Sequence, residues 1–477
     1  MPDFRICTLL SCALMAGTAI AAPSVPGERY PAKTEPVQLV WRDPGFPSAS
    51  ITRLRYGEMS AERILGLQKA NAERVDKPLQ IGIGRIASRE STARALPSLR
   101  WIVRGDGSAV ARIEFLSPLA YGVRAGLDVS DLPAMAELRF SGSAQPDRII
   151  ASVPAGRAQT LLGDDGLFWT PATDGEKQFV EIWVPPGTAY QAVRLQAPRL
   201  VHLMTNAIDD FKILKDIGDS GSCNINAVCR VGQLGEAYAQ TRAAVAKMVF
   251  VKEGSSYLCT GTLLNDNDPS TYIPYFHTAH HCISTQQVAS TLQTYWNFEA
   301  TTCGGSVAGN YTTLSGGAAY LYSSANTDGA LLRLNDDSPG GAWFSGWNAA
   351  PVPVSTSVTA IHHPRGDLKK VSFGQRTNTT NSNANYHNQV GWLEGTTEGG
   401  SSGSGLFVLQ SGTYAGQYHL QGGLYGGNAS CSNSGNLSND NNYDLYSRFD
   451  VDYPNIRQYL FNEPRRRNGS QPLAPPR

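Results

Sequence analysis

The sequence predicts an all-β protein, in which a β-rich N-terminal half precedes a second β unit closed as a sandwich or barrel. Two observations carry this. From residue 22 to about 215, apolar and polar residues alternate in "ARIEFLSP" around Phe115, "AELRFSGS" around Phe140 and "FVEIWVPP" around Trp183, the two-residue period of half-buried strands. After Lys215 the composition shifts toward Gly, Ser, Asn, Thr and Tyr, and turn residues separate short apolar runs such as "AKMVFV", "DGALLRL", "GLFVLQ" and "YHLQGGLYGG". Many short strands joined by Gly/Asn turns mark sandwiches and barrels.

The opening "MPDFRICTLLSCALMAGTAIAAP" has an early Arg5, an apolar stretch from Ile6 to Ile20, and small residues at Ala19 and Ala21. It reads as a signal peptide, residues 1–21, cut after Ala21, so the mature protein is expected to be secreted. "LLSC" mimics a lipoprotein cleavage site, but the apolar run ahead of it is short. A Pro-rich lead-in from Pro23 to Pro47 is expected to be extended. It opens a domain spanning 22–215. Residues 216–461 form the second domain, ending in a short helix over Pro454 to Phe461, with Pro at its first turn and Ile456, Tyr459 and Leu460 at helical spacing. Residues 462–477, basic and Pro-rich, read as a disordered tail.

At 477 residues the chain can hold two or three domains. Lys plus Arg equals Asp plus Glu at 40 each, so charge gives no reason to expect nucleic acid or an anionic membrane as partner. After the leader, no segment approaches the roughly 18 apolar residues needed to span a bilayer. A soluble monomer without a cofactor is expected. Of the eight cysteines, Cys7 and Cys12 leave with the signal; Cys223, Cys229, Cys259, Cys282, Cys303 and Cys431 remain. An even number in an exported chain, with no C-x2-C pair, points to disulfides rather than a metal. Spacing alone leaves their connectivity open.

Chemistry concentrates in two stretches. In "EGGSSGSGLF", Glu398 to Phe407, serines lie among glycines just ahead of an apolar strand. Glycines let backbone N–H groups turn toward an incoming carbonyl, but alone such a cluster is more often a turn. The second stretch, "YFHTAHHCIS", sets His280 and His281 before Cys282. Serine needs a neighbouring base near neutral pKa, and that base needs an acid to hold its tautomer. His281, Asp328 in "NTDGALLRL" and Ser402 occur in that order.

The order and spacing resemble the chymotrypsin-like double β-barrel, whose first barrel supplies His and Asp and whose second supplies Ser. In that family the base directly precedes a cysteine in a T-A-x-H-C segment. The resemblance therefore makes His281 the base, with His280 a neighbour. Asp328 is the orienting acid, ahead of a strand, while Asp336 and Asp337 read as a solvated turn. Ser402 is the nucleophile, flanked by Ser401 and Ser404, and the N–H groups of Gly400 and Ser402 form the oxyanion hole.

"GDSGSCNINAVC", "TAHHC", "AIHHP", "TTEGGSSGSGLF" and "GGLYGGNASC" give a narrower resemblance, over residues 216 to about 461, to the bacterial lysyl endopeptidases. These are secreted serine proteases that cut after lysine. The resemblance implies disulfides Cys223–Cys431, Cys229–Cys303 and Cys259–Cys282, and protein or peptide substrates. It makes the domain 22–215 the chain's own pro-domain and partner. It implies Asp444, in "YDLYSRF", as the acid that meets a lysine ammonium; the trypsin-like position for that acid holds Thr396. Leu424, Tyr425 and Gly426 are expected to pair with substrate backbone. Tyr425 stands where the family has histidine, Gly405 stands where it has proline, and "RTNTTNSNANYH" shows no equivalent of the family's pocket-side tryptophan. Self-cleavage after Lys215, with Lys212 just upstream, would give a mature start at Asp216. Two other readings are a protease with the same triad and another preference before the cut, and an inactive protease-like extracellular binding module.

Overall fold

The computed structural model describes residues 22–31, 39–73, 78–91, 98–207 and 218–461. Ala21, Lys212, Lys215 and the tail 462–477 lie outside the described residues.

The alternating segments of the N-terminal half form two facing sheets. One orders Ala151–Pro154, Glu137–Gly142, Lys177–Val184, Ala109–Leu116 and Thr52–Arg55; the other orders Phe168–Trp169, Gly122–Asp128, Gln196–Leu203 and Gly82–Ile86. Their inward residues share one core that includes Phe115, Phe140, Ile182, Leu127 and Leu200. Each such side chain contributes about 1.5–3 kcal/mol on full burial.

The C-terminal half is a chymotrypsin-like pair of barrels. In the first, Gln293–Trp296, Val245–Lys252, Ser255–Leu264, Tyr275–Ala279, Gly329–Leu334 and Ala318–Ser323 are consecutive neighbours around Phe250, Phe276 and Trp296. The second closes on itself: Ser357–His362 pairs with Lys370–Thr377, then His387–Glu394, Asp444–Ser447, Tyr418–Gly427 and Gly405–Leu409, which returns to Ser357–His362. Closure leaves no edge among these strands.

The final helix is longer than expected, Phe449–Leu460, with Pro454 inside it. Proline removes one helical N–H bond. The extra first turn is held by burial instead, because Phe449 and Tyr453 pack on Trp347. Two helical stretches that the alternation did not signal also appear, Ala61–Glu73 and, broken by a kink at Gly235, Val231–Ala243.

The two halves share a core. Leu79 and Gln80 of the N-terminal domain pair with Leu258 and Tyr257 of the first barrel, and Ile81, Val201 and Leu203 pack with Val249, Leu258, Tyr295 and Phe298. Buried Arg124 donates to the Thr291 carbonyl at 2.6 Å. Asp336, read as a solvated turn residue, pairs with Arg157.

Candidate active site

A strand pair brings His281 and Asp328 together. Tyr275–Ala279 and Gly329–Leu334 run antiparallel with Ala279 opposite Gly329, so one strand ends just before His281 and the other starts just after Asp328. The Asp328 carboxylate accepts the His281 backbone N–H at 2.9 Å through Oδ1 and lies 2.7 Å from His281 Nδ1 through Oδ2. Asp328 has a φ of 66°, a left-handed conformation that Asp adopts more readily than most residues. Its N–H donates to the Ser324 carbonyl at 2.7 Å, and its carbonyl accepts the His280 N–H at 2.8 Å.

The neighbouring histidines do other things. His280 Nδ1 lies 2.7 Å from Ser323 Oγ, and burial lowers its pKa. His277 is buried with no hydrogen-bond partner on either ring nitrogen among the described residues, and burial pushes its pKa down to about 4. It is neutral at pH 7.

Ser402 lies in the loop ahead of strand Gly405–Leu409 and is buried. Thr260 of the first barrel grips this loop at two points. Thr260 donates its N–H to the Ser402 carbonyl at 2.8 Å and its hydroxyl to the Gly400 carbonyl at 3.0 Å. Gly400 and Gly403 have φ of 91° and 79°, and a Cβ on Gly403 would stand 2.2 Å from Thr278 Oγ1 and 2.9 Å from the Ala279 nitrogen. Only glycine lets the Ser402 loop lie directly on the strand that leads to His281. Ser401 Oγ lies 2.8 Å from His362 Nδ1.

Disulfides join Cys223 to Cys431, Cys229 to Cys303 and Cys259 to Cys282. The last has one cysteine beside Thr260 and the other beside His281. Cys259, His281 and Cys282 place their potential ligand atoms within 4.8 Å of one another, but sulfurs in a disulfide offer no thiolate to a metal. Thr260 escaped the sequence reading. Its place next to Cys259 was the available signal.

Asp444 is fully buried between two strands, opposite Val390 on one side and Gly427 on the other. Its Oδ2 accepts Trp392 Nε1–H at 2.7 Å and the Thr397 hydroxyl at 2.6 Å. A Cβ on Gly427 would lie 2.6 Å from its Oδ1, so glycine there keeps space beside the carboxylate.

Tyr425 lies beside His281. Strand Tyr418–Gly427 slips register against Asp444–Ser447 between Leu424 and Gly426, which makes Tyr425 the extra residue of a bulge and re-aims its side chain. Its ring meets His281 edge-on, at 5.9 Å and 67°, and stacks on His387 at 5.4 Å and 17°. The stretch "RTNTTNSNANYH" thus supplies an aromatic ring to the site through its last residue. That residue opens the strand His387–Glu394, a signal the sequence reading passed over.

Residues 217–447 match the family described as lysyl endopeptidase, C-terminal domain, and residues 55–204 match the lysyl endopeptidase N-terminal domain. A lysyl endopeptidase of Pseudomonas aeruginosa is 32% identical over 473 residues, covering 95% of this chain and 98% of its own. Secreted RxLR effector protein 73 of Plasmopara viticola is 23% identical over 282 residues, 54% of this chain and 65% of its own. Among solved structures, the HtrA-type protease AlgWS227A with tripeptide covers 47% of this chain and 62% of its own at 18% identity, with a TM-score of 0.31. With both family domains present in order and a near full-length match to one member, this chain belongs to the lysyl endopeptidase family of serine endopeptidases.

Proposed function

We propose that this endopeptidase is secreted, cuts on the C-terminal side of lysine, and is made as a zymogen that processes itself. In this reading Ser402 Oγ attacks the scissile carbonyl while His281 Nε2 takes its proton, and Asp328 holds the other ring nitrogen and stabilises the imidazolium. The N–H groups of Gly400 and Ser402 receive the oxyanion. His281 then gives its proton to the leaving amine, and the acyl-enzyme is hydrolysed by water activated in the same way.

The buried Asp444 carboxylate carries the lysine assignment. Two neutral donors, Trp392 and Thr397, hold it beside the strand that contains Leu424, Tyr425 and Gly426. A lysine side chain, an apolar stem ending in an ammonium, would bring a positive charge to this buried carboxylate. The same pocket would accept Lys215 of the chain itself, so that release of the N-terminal domain leaves a mature start at Asp216.

A peptide library tests the specificity. Cleavage after lysine is expected, and Asp444→Asn should lower kcat/KM on lysine substrates by about 100-fold or more, because the incoming ammonium is desolvated without a partner. Pro-domain release should slow with it. Preference for an aromatic residue or glutamate would remove Asp444 from this role. A serine-directed phosphonate should label the wild type and not Ser402→Ala; absence of labelling in both would leave the inactive binding module.

A further inference from the structure

The first described residues pair with the connection between the two barrels, far along the chain from the N-terminal domain that follows them. Ser24–Val25 pair antiparallel with Asn348 and Trp347, and Glu28–Arg29 pair with Phe344 and Trp343. Residues 343–348 connect the two barrels, lying between strand Gly329–Leu334 of the first and strand Ser357–His362 of the second. Main-chain bonds continue at both ends: Ala349 N–H donates to the Pro23 carbonyl at 2.9 Å, and Tyr30 N–H donates to the Ala342 carbonyl at 2.8 Å.

Side chains add selectivity to this pairing. Val25 is buried in one cluster with Trp347, Phe407 and Leu420. Ser24 Oγ donates to the Trp347 carbonyl at 2.9 Å and lies 3.1 Å from His419 Nδ1. Asn265 Nδ2 donates to the Pro26 carbonyl at 3.0 Å. The Tyr30 ring meets Tyr272 edge-on at 5.3 Å and Phe344 at 5.9 Å. At Gly27 a Cβ would stand 2.4 Å from Trp343 Nε1, so the strand lies flat against that indole only because residue 27 has no side chain. Arg29 and Glu236 form an exposed pair that contributes little.

We propose that residues 342–349 form a strand-docking edge on the protease domain, and that its ligand is the chain's own segment Pro23–Tyr30, bound by contacts that do not depend on the covalent route through the N-terminal domain. The bonding is that of strand addition: main-chain pairing gives affinity, while the seats for Val25, Gly27 and Tyr30 give selectivity. The segment thereby holds the connection between the barrels from outside. The proposal is independent of the specificity assigned to Asp444.

The test uses the full chain in its Ser402→Ala form, which stays uncut. A second change, Gly27→Val, should dislodge the segment and open the edge. A labelled synthetic peptide of residues 22–31 should then bind at micromolar concentration, and at least about tenfold more weakly to the chain with Gly27 intact, where the tethered segment occupies the edge at high effective concentration. The same peptide carrying Gly27→Val should not bind either chain. If Gly27→Val does not fold, Val25→Asp opens the edge at the apolar seat and serves in its place. Failure of the wild-type peptide to bind the opened chain, or equal binding by the wild-type and Gly27→Val peptides, overturns the proposal.

Discussion

Adjacent histidines at 280 and 281 meet different surroundings because the loop after Ala279 turns one ring toward Asp328 and the other toward Ser323. His281→Ala should therefore abolish nearly all peptidase activity, and adding Ser402→Ala should cost little more, since a nucleophile and its base act as one unit. His280→Ala should remain active. Steady-state rates of the three variants check this, and an inactive His280→Ala beside an active His281→Ala would reverse the assignment. A second acid lies close by. Asp452 is buried, its Oδ1 accepts the Thr327 and Tyr322 hydroxyls at 2.6 and 3.0 Å, and its Oδ2 has no hydrogen-bond partner among the described residues. Burial raises its pKa from 3.8 to about 6, with the Asp328 charge adding to the shift. Between those values the folded state holds more protons than the unfolded state, so stability falls as pH rises through that window and stays lower above it. Asp452→Asn should flatten that slope. Melting temperature measured from pH 4 to 7 is the check, and an unchanged slope would remove Asp452 as its source. The pairing of His281 with Asp328 was legible from single residues. Thr260 and His387 were harder to read, because their contacts join strands far apart in sequence and the local signals, a neighbouring cysteine and a strand start, do not specify a partner.

At the scale of elements, the start of the protease domain is tied to the loop that carries Gly400 and Ser402. Glu398 accepts the Gly221 N–H and Asn224 Nδ2–H, both at 2.8 Å, and pairs with Arg365 at 2.8 Å. Arg365 in turn donates its N–H to the Gly399 carbonyl at 2.5 Å and accepts the Gly218 N–H at 2.6 Å. Glu398→Gln preserves shape but removes the ion pair, so the loop should hold the proposed oxyanion donors less firmly. The expected result is a kcat about tenfold lower with KM nearly unchanged and the preference before the cut unaltered. A change in KM alone would place the network at substrate binding instead. The barrel strands were readable because Gly and Asn turns separate their short apolar runs. The helices were harder. Val231–Ala243 contains Gly235 at a φ of 72° and buries only Tyr238 and Thr241, which leaves no apolar stripe to read. Ala61–Glu73 buries only Leu67, so its Ala, Glu, Leu, Gln and Lys content was the available signal.

Across the whole molecule, the N-terminal domain completes the outer side of the first barrel. Leu79 pairs with Leu258, and the Leu258 side chain reaches to where a Cβ on Gly400 would be, 2.6 Å away. One strand therefore stands between the N-terminal domain and the Ser402 loop. Beside it, Lys247 of the first barrel is buried with its ammonium 3.3 Å from the centre of the Phe298 ring and 4.8 Å from that of Tyr295. Burial lowers its pKa to about 7, opposed by the charges of Asp174 and Asp367. Double barrels rest on non-local pairings and fold slowly, so a domain that covers this face during folding shields apolar residues that would otherwise aggregate. Residues 216–477 expressed alone should accordingly give little active enzyme, with recovery when the N-terminal domain is supplied as a separate chain. Leu79→Asp in the full chain sharpens the test by damaging the contact without deleting the domain. Titration of active sites should count about tenfold fewer of them in the secreted protein, while the rate per titrated site stays near that of the wild type. Fewer sites at equal rate would mark a role in folding. A normal number of sites working slowly would instead mean that Leu79, through Leu258 and Gly400, shapes the working loop itself, and undiminished yield from 216–477 alone would remove the folding role altogether.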